Sequence, residues 1–160
     1  CLMEGTRPIL VEVQGLVTET QFNLPRRQAS GIDYNRLTLL MAVLEKRLGI
    51  RCSSLDAYLN IAGGIKATEP AADLAAAAAI LSSYRNKVIP SDVVIFGEVG
   101  LSGEVRSVSQ TSDRIKEAVK LGFRRVICPE TSLRGLKQGA FPDIEINGIR
   151  NLSELIAYIG

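Results

Sequence analysis

The chain has 160 residues, 46% hydrophobic and 22% charged, with a net charge of +2, values that favour one globular domain with a sizeable core. No apolar run approaches the roughly 18–20 residues a membrane span needs, and Glu4 and Arg7 interrupt the only early apolar stretch, so no secretory signal is read there. There is no histidine, which excludes Ser-His-Asp and Cys-His triads and His-ligated metals within these residues and leaves Ser-Lys pairs, carboxylate pairs or an N-terminal nucleophile.

The first residue is Cys1 rather than Met, and we expect a piece cut from a longer chain. Ile9–Glu19 alternates apolar and polar residues at its start and predicts a strand. "TQFNLPRRQAS" predicts a second strand at a sheet edge, because Pro25 cannot donate to a central ladder. Asp33 caps a helix whose Leu37, Leu40, Met41, Leu44 and Leu48 share one face, and Gly49 ends it. Leu55–Gly64 alternates again and predicts a strand. The following loop, "GGIKATEP", leads into a helix capped by Thr68 or Glu69, with Pro70 in its first turn and Asp73 at the positive end of the dipole. From Leu74 to Leu81 that helix is apolar all round, which predicts burial on more than one side.

"DVVIFGEVG" predicts a strand, Ser102-Gly103 a tight turn, and "EVRSV" the returning strand. "SDRIKEAVKLG" predicts an amphipathic helix with Ser112 as N-cap, Ile115, Ala118 and Val119 inward, and Gly122 at its end. "RRVICP" is a strand closed by Pro129, and a short helix is expected around Leu133. "DIEINGI" is a last strand, and Asn151 caps a terminal helix. Two hairpin-like pairs argue against a purely parallel sheet. The fold class is mixed α/β, of the α+β kind, in a single domain over residues 1–160.

Charge is segregated along the chain. Residues 26–51 hold six basic side chains against Asp33 and Glu45, and residues 106–137 hold eight against Asp113, Glu117 and Glu130. Such clustering builds a basic face on a nearly neutral protein, or else a set of solvated helix and turn charges. Cys1, Cys52 and Cys128 are too scattered for a disulfide framework or a zinc site, and an odd count fits a reducing cytoplasm. "GGIKATEP" lacks Walker A spacing and no G-x-G-x-x-G opens a helix, so no nucleotide site and no metal site is read within these residues. Lys66 reads as an exposed loop lysine.

The order of elements, a loop into a "P-x-A" helix, then "GEVGLSGEVRSV", then "DRIKEAVKLGFRRVICP", resembles the proteolytic domain of Lon. That resemblance implies a Lon-like, ribosomal protein S5 domain 2-like fold. In that family a serine follows the helix-initial proline and a lysine opens the later helix, the lysine activating the serine. The matching positions here are Ala71 and Ser112, so no catalytic residue is assigned and Lon-type peptidase chemistry is not expected.

"EGTRPILVEVQGLV", "PRRQASGIDYNRLTLLMAVLEKRLG" and "KATEPAADLAAAAAILSS" together resemble the C-terminal Lon-like domain of the bacterial RadA (Sms) family, RecA-related DNA repair ATPases. The resemblance covers essentially the whole sequence. It implies upstream zinc-finger and RecA-type domains that carry Zn and ATP with Mg, a homohexameric ring, a RecA-type recombinase as partner, and a DNA-dependent motor at branched recombination intermediates. It implies for these residues a non-proteolytic scaffold that touches the DNA backbone. The candidate phosphate contacts are Arg26, Arg27, Arg36, Arg106, Arg124 and Arg125. A purely structural oligomerisation module is the alternative, with a residual peptidase as a third reading.

Overall fold

The alanine-rich helix determines the layering. In the computed structural model, which describes residues 1–159, the strands are β1 (Leu2–Glu4), β2 (Arg7–Ile9), β3 (Val13–Glu19), β4 (Arg27–Ser30), β5 (Leu55–Ile61), β6 (Val93–Ile95), β7 (Glu98–Val99), β8 (Val105–Arg106), β9 (Arg125–Pro129) and β10 (Glu145–Ile149). The helices are α1 (Tyr34–Leu48), α2 (Asp73–Arg85), α3 (Thr111–Lys120) and α4 (Leu152–Leu155). One sheet has the order β3-β5-β4, with β3 antiparallel and β4 parallel to the central β5. A second, β10-β9-β6, is wholly parallel. β1–β2 and β7–β8 are separate antiparallel hairpins. The whole is mixed α/β, as expected.

Helix α2 lies between the two sheets. Its Leu74, Ala76, Ala77, Ala78, Ile80 and Leu81 share one core with Ala57, Leu59 and Ile61 of β5, with the inward face of α1, and with Ile95, Ile127 and Ile149 of the second sheet. All-round apolarity is the consequence of two packing partners. The alanines let α2 come very close to β3. A Cβ built on Gly15 would stand 2.9 Å from the Ala79 carbonyl carbon and 3.0 Å from the Ile80 nitrogen, so only glycine fits there. The Val17 N–H of β3 donates to Ser83 Oγ at 3.0 Å, which occupies a donor that an edge strand would leave free. On the far face of the second sheet, Val94, Phe96, Val126 and Cys128 form a second core with Ile115 and Ala118 of α3. The alternation along "VIC" thus serves two cores from one strand.

Local signals hold at most ends. Asp33 accepts from the Asn35 N–H at 3.0 Å, and Gly49 closes α1 in the left-handed region with φ 72°. Asn151 accepts from the N–H groups of Ser153 (3.0 Å) and Glu154 (3.3 Å). Cys52 and Cys128 are buried, and burial pushes their thiols up to about 11 and about 12.

Several expectations need correction. The strand predicted from Ile9 begins at Val13, because Leu10 packs in the second core and Val11 in the first, and the chain crosses between them. β3 and β4 do not form a hairpin, since β5 inserts between them. "DVVIFGEVG" is two strands, parted at Gly97, whose N–H donates to the Ala71 carbonyl (2.9 Å) and whose carbonyl accepts from Leu74 (3.0 Å). Ser112 is not the N-cap of α3. Gln110, with φ 58°, holds that position without a side-chain bond, and Ser112 lies inside the first turn. The terminal helix is one turn long before a 3-10 segment over Ile156–Tyr158.

Candidate functional site

The loop that resembles a catalytic frame is tied down by ion pairs rather than opened toward a substrate. Pro70–Ala72 forms a 3-10 turn ahead of α2, and Ala71 is 1% exposed. A shallow groove of about 580 Å³ runs beside it, lined by Ile32, Arg36, Lys66, Thr68, Glu69 and Asp73 among others. Lys66 is exposed there.

On one side of the turn, Asp73 is almost fully buried. It accepts from the Val99 N–H at 3.1 Å and pairs with the Arg36 guanidinium. Burial pushes its carboxyl up, and the bonds from Arg36 and Val99 counter part of that shift. The same guanidinium reaches the Val99 carbonyl at 3.5 Å. Arg36 therefore fastens α1 to the β7–β8 hairpin and to the start of α2.

On the other side stands Arg114, with no exposed side-chain surface. Its Nη1 donates to Glu69 Oε1 at 2.7 Å and to the Cys1 carbonyl at 2.7 Å, its Nη2 to Glu69 Oε2 at 3.0 Å, and its Nε to the Ser109 carbonyl at 2.9 Å. Glu69 Oε1 also accepts from the Met3 N–H at 2.9 Å. Burial raises the Glu69 carboxyl, but Arg114 and the Met3 N–H outweigh it and hold the group below the ordinary carboxylate range. Glu69 lies two residues before Ala71, and Arg114 two residues after Ser112. A bidentate ion pair therefore joins the two segments that resemble the halves of a catalytic dyad, and it also grips β1.

Reading the sequence missed this pair, although a signal was present. Thr111, Arg114, Ile115 and Ala118 form one buried stripe of α3, so Arg114 stood out as a charge on an apolar face.

The six candidate arginines separate into groups. Arg27 donates to the carbonyls of Arg26 (3.1 Å), Cys52 (2.7 Å) and Leu55, fastening β4 to the turn before β5. Arg36 is held by Asp73. Arg125 pairs with Asp92 at 2.8 Å across the start of the second sheet, and Arg124 beside it is exposed. Arg106 is exposed and pairs with Glu104 at 3.1 Å. Arg26 is exposed, with its guanidinium carbon 3.9 Å from the ring centroid of Phe22. The arginines lie on different elements: Arg26 and Arg27 at the start of β4, Arg36 in the first turn of α1, Arg106 on β8, and Arg124 and Arg125 at the start of β9.

Among the described residues, no group of three or more Cys, Asp or Glu side chains is placed to hold a metal ion, and no helix is long and apolar enough to cross a membrane.

This mixed α/β chain has known relatives. Residues 39–132 match the protein family described as subunit ChlI of Mg-chelatase, and the chain belongs to that family. Over most of its length it is similar to DNA repair protein RadA. It is 55% identical to the Halalkalibacterium halodurans protein over 133 residues, covering 83% of this chain and 29% of that protein. It is 54% identical to the Bacillus subtilis protein over 155 residues, covering 96% and 33%. It is 54% identical to the Synechocystis protein over 127 residues, covering 79% and 25%. The chain spans a third or less of the length of these relatives.

Proposed function

We propose that the chain is the Lon-like, ribosomal protein S5 domain 2-like, non-proteolytic scaffold domain of a RadA-type DNA repair ATPase, and that it binds the DNA backbone as part of a homohexameric ring. The observation that carries the non-proteolytic reading is the Glu69–Arg114 pair between the segments of Ala71 and Ser112. A peptidase needs a nucleophile and a base facing an open groove. Here a methyl group is buried at the first position and a hydroxyl stands at the second.

Similarity to DNA repair protein RadA supports a role in repair. The whole protein's ATP, Mg and Zn sites would lie outside these 160 residues, its recombinase partner is of the RecA type, and its compartment is the cytoplasm. For the backbone contacts, exposure and partners favour Arg106 and Arg124. Arg27 and Arg36 satisfy internal acceptors, and their removal would act through the fold. The arginines are spread over several elements, which suits a channel lined by several subunits better than a single patch on one.

The test is an anisotropy titration with a labelled duplex at increasing salt. Phosphate contacts make affinity fall log-linearly with salt. Absent binding, or binding indifferent to salt, leaves the purely structural oligomerisation module as the better account.

A further inference from the structure

An exposed apolar loop and a half-buried apolar groove lie at opposite ends of β3. At its C-terminal end, the loop to β4 presents Phe22, 51% exposed, and Leu24, 80% exposed. This loop is built rather than loose. The Thr20 N–H donates to the Ser54 carbonyl at 3.0 Å and the Arg26 N–H to Asp56 Oδ1 at 2.6 Å, so both ends are anchored to the segment around the start of β5. Arg26 covers one face of the Phe22 ring.

At the N-terminal end of β3 lies an apolar groove of about 510 Å³ between α2 and β6. Val11, Ala75, Ala79, Ile89 and Phe123 line it, and Glu12 stands on its rim. The alanines make it a groove, since larger side chains on that face of α2 would fill it. Glu12 is exposed, and its carboxylate accepts from the Gln14 amide at 3.2 Å.

We infer that Phe22 and Leu24 of one copy dock into this groove on the next, with Arg26 set against Glu12. The groove is larger than a leucine and a phenylalanine side chain together. Arg26 at the protruding end and Glu12 at the receiving end, both exposed, form one pair of opposite charges across the contact. The seven residues of β3 separate them by about 20 Å, too far to meet within one molecule. Two complementary patches at opposite ends of a subunit make a heterologous, head-to-tail contact, which closes into a ring when the rotation per step allows it. An exposed phenylalanine beside an arginine also matches the composition of interface centres. This deepens the ring reading above, on which it rests, by naming its interface.

The test is light scattering of the chain at increasing concentration, with circular dichroism and thermal unfolding to confirm that each variant folds. Leu24→Asp, at an exposed loop position, should reduce the assembly to monomer. So should Ala75→Arg, which fills the groove, and Glu12→Arg, a surface change that leaves the α2 packing alone, should weaken assembly at least ten-fold. Mixing Leu24→Asp with Ala75→Arg should yield dimers and nothing larger, because each then has only one working end. Assembly of the unaltered chain that survives all three variants overturns this interface while leaving the ring itself in place. A chain that stays monomeric at the highest concentration overturns both. Larger species from the mixture would show that the two ends do not meet.

Discussion

Glu69→Gln should destabilise the fold far more than its partly exposed position suggests. Glu69 keeps 23% of its side-chain surface, but Arg114 keeps none. Removing the carboxylate charge leaves a guanidinium in the interior facing the carbonyls of Cys1 and Ser109, a neutral amide and the Phe96 ring. Breaking one side of a buried pair costs about 3–5 kcal/mol, and the retained amide oxygen and partial exposure place this case near about 3 kcal/mol. Arg114→Met fills similar space without a charge. It strips donors from two carbonyls, at about 1 kcal/mol each, so about 2 kcal/mol is expected. The double variant should cost less than the sum by at least about 1 kcal/mol, the coupling between the partners. Urea unfolding followed by circular dichroism measures all three. The pH dependence gives an independent check. Because Glu69 is held below its ordinary range, the unfolded chain binds its proton first as pH falls. The pair's contribution is complete above the usual glutamate range and is lost as pH drops through the folded value. The gap between the wild type and Glu69→Gln should therefore narrow in acid. Single variants that each cost under about 1 kcal/mol, or a gap independent of pH, would refute the reasoning.

Other expectations concern separate parts of the fold. Gly15→Ala forces a Cβ onto the α2 backbone and should cost about 1–3 kcal/mol in the same unfolding assay, whereas Gly122→Ala meets no atom within 4 Å and should cost only the strain of a positive φ. Ala71→Ser and Ser112→Lys together, at the positions whose surroundings resemble the Lon dyad, should give no cleavage of a fluorogenic peptide, because position 71 is buried and the Glu69–Arg114 pair joins the two segments; turnover above the parent chain would contradict this. Arg27→Ala should lower stability by about 1–2 kcal/mol through its lost carbonyl bonds, with Arg124→Ala, on an exposed side chain, within about 0.5 kcal/mol of the parent.

Much of this was legible from local chemistry. The Asp33 cap, the α1 face and the Gly49 stop each depend on residues within a few positions, and all three appear as read. The burial of α2 was legible because an all-apolar helix has no other stable place. What escaped depended on partners distant in sequence. Nothing in "RRQAS" tells that β5 will slip between it and β3. The β1–β2 hairpin went unread although Gly5, with φ 61°, sits in its two-residue turn, because three-residue strands carry too little alternation. For the site, the absence of a nucleophile was visible at Ala71. The ion pair was not, because Glu69 and Arg114 are 45 residues apart. The basic clusters were visible as counts, but only contacts separate Arg27 and Arg36, which hold the fold, from Arg106 and Arg124, which face solvent.

The most direct test of the central claim is the salt dependence of duplex binding by the chain and by its Arg106→Ala, Arg124→Ala variant. The account predicts a log-linear fall in affinity with salt and a slope shallower by roughly 1–2 in the variant, for two lost phosphate contacts, with unfolding midpoints unchanged. Identical slopes for the two proteins, or no binding at low salt, would contradict it.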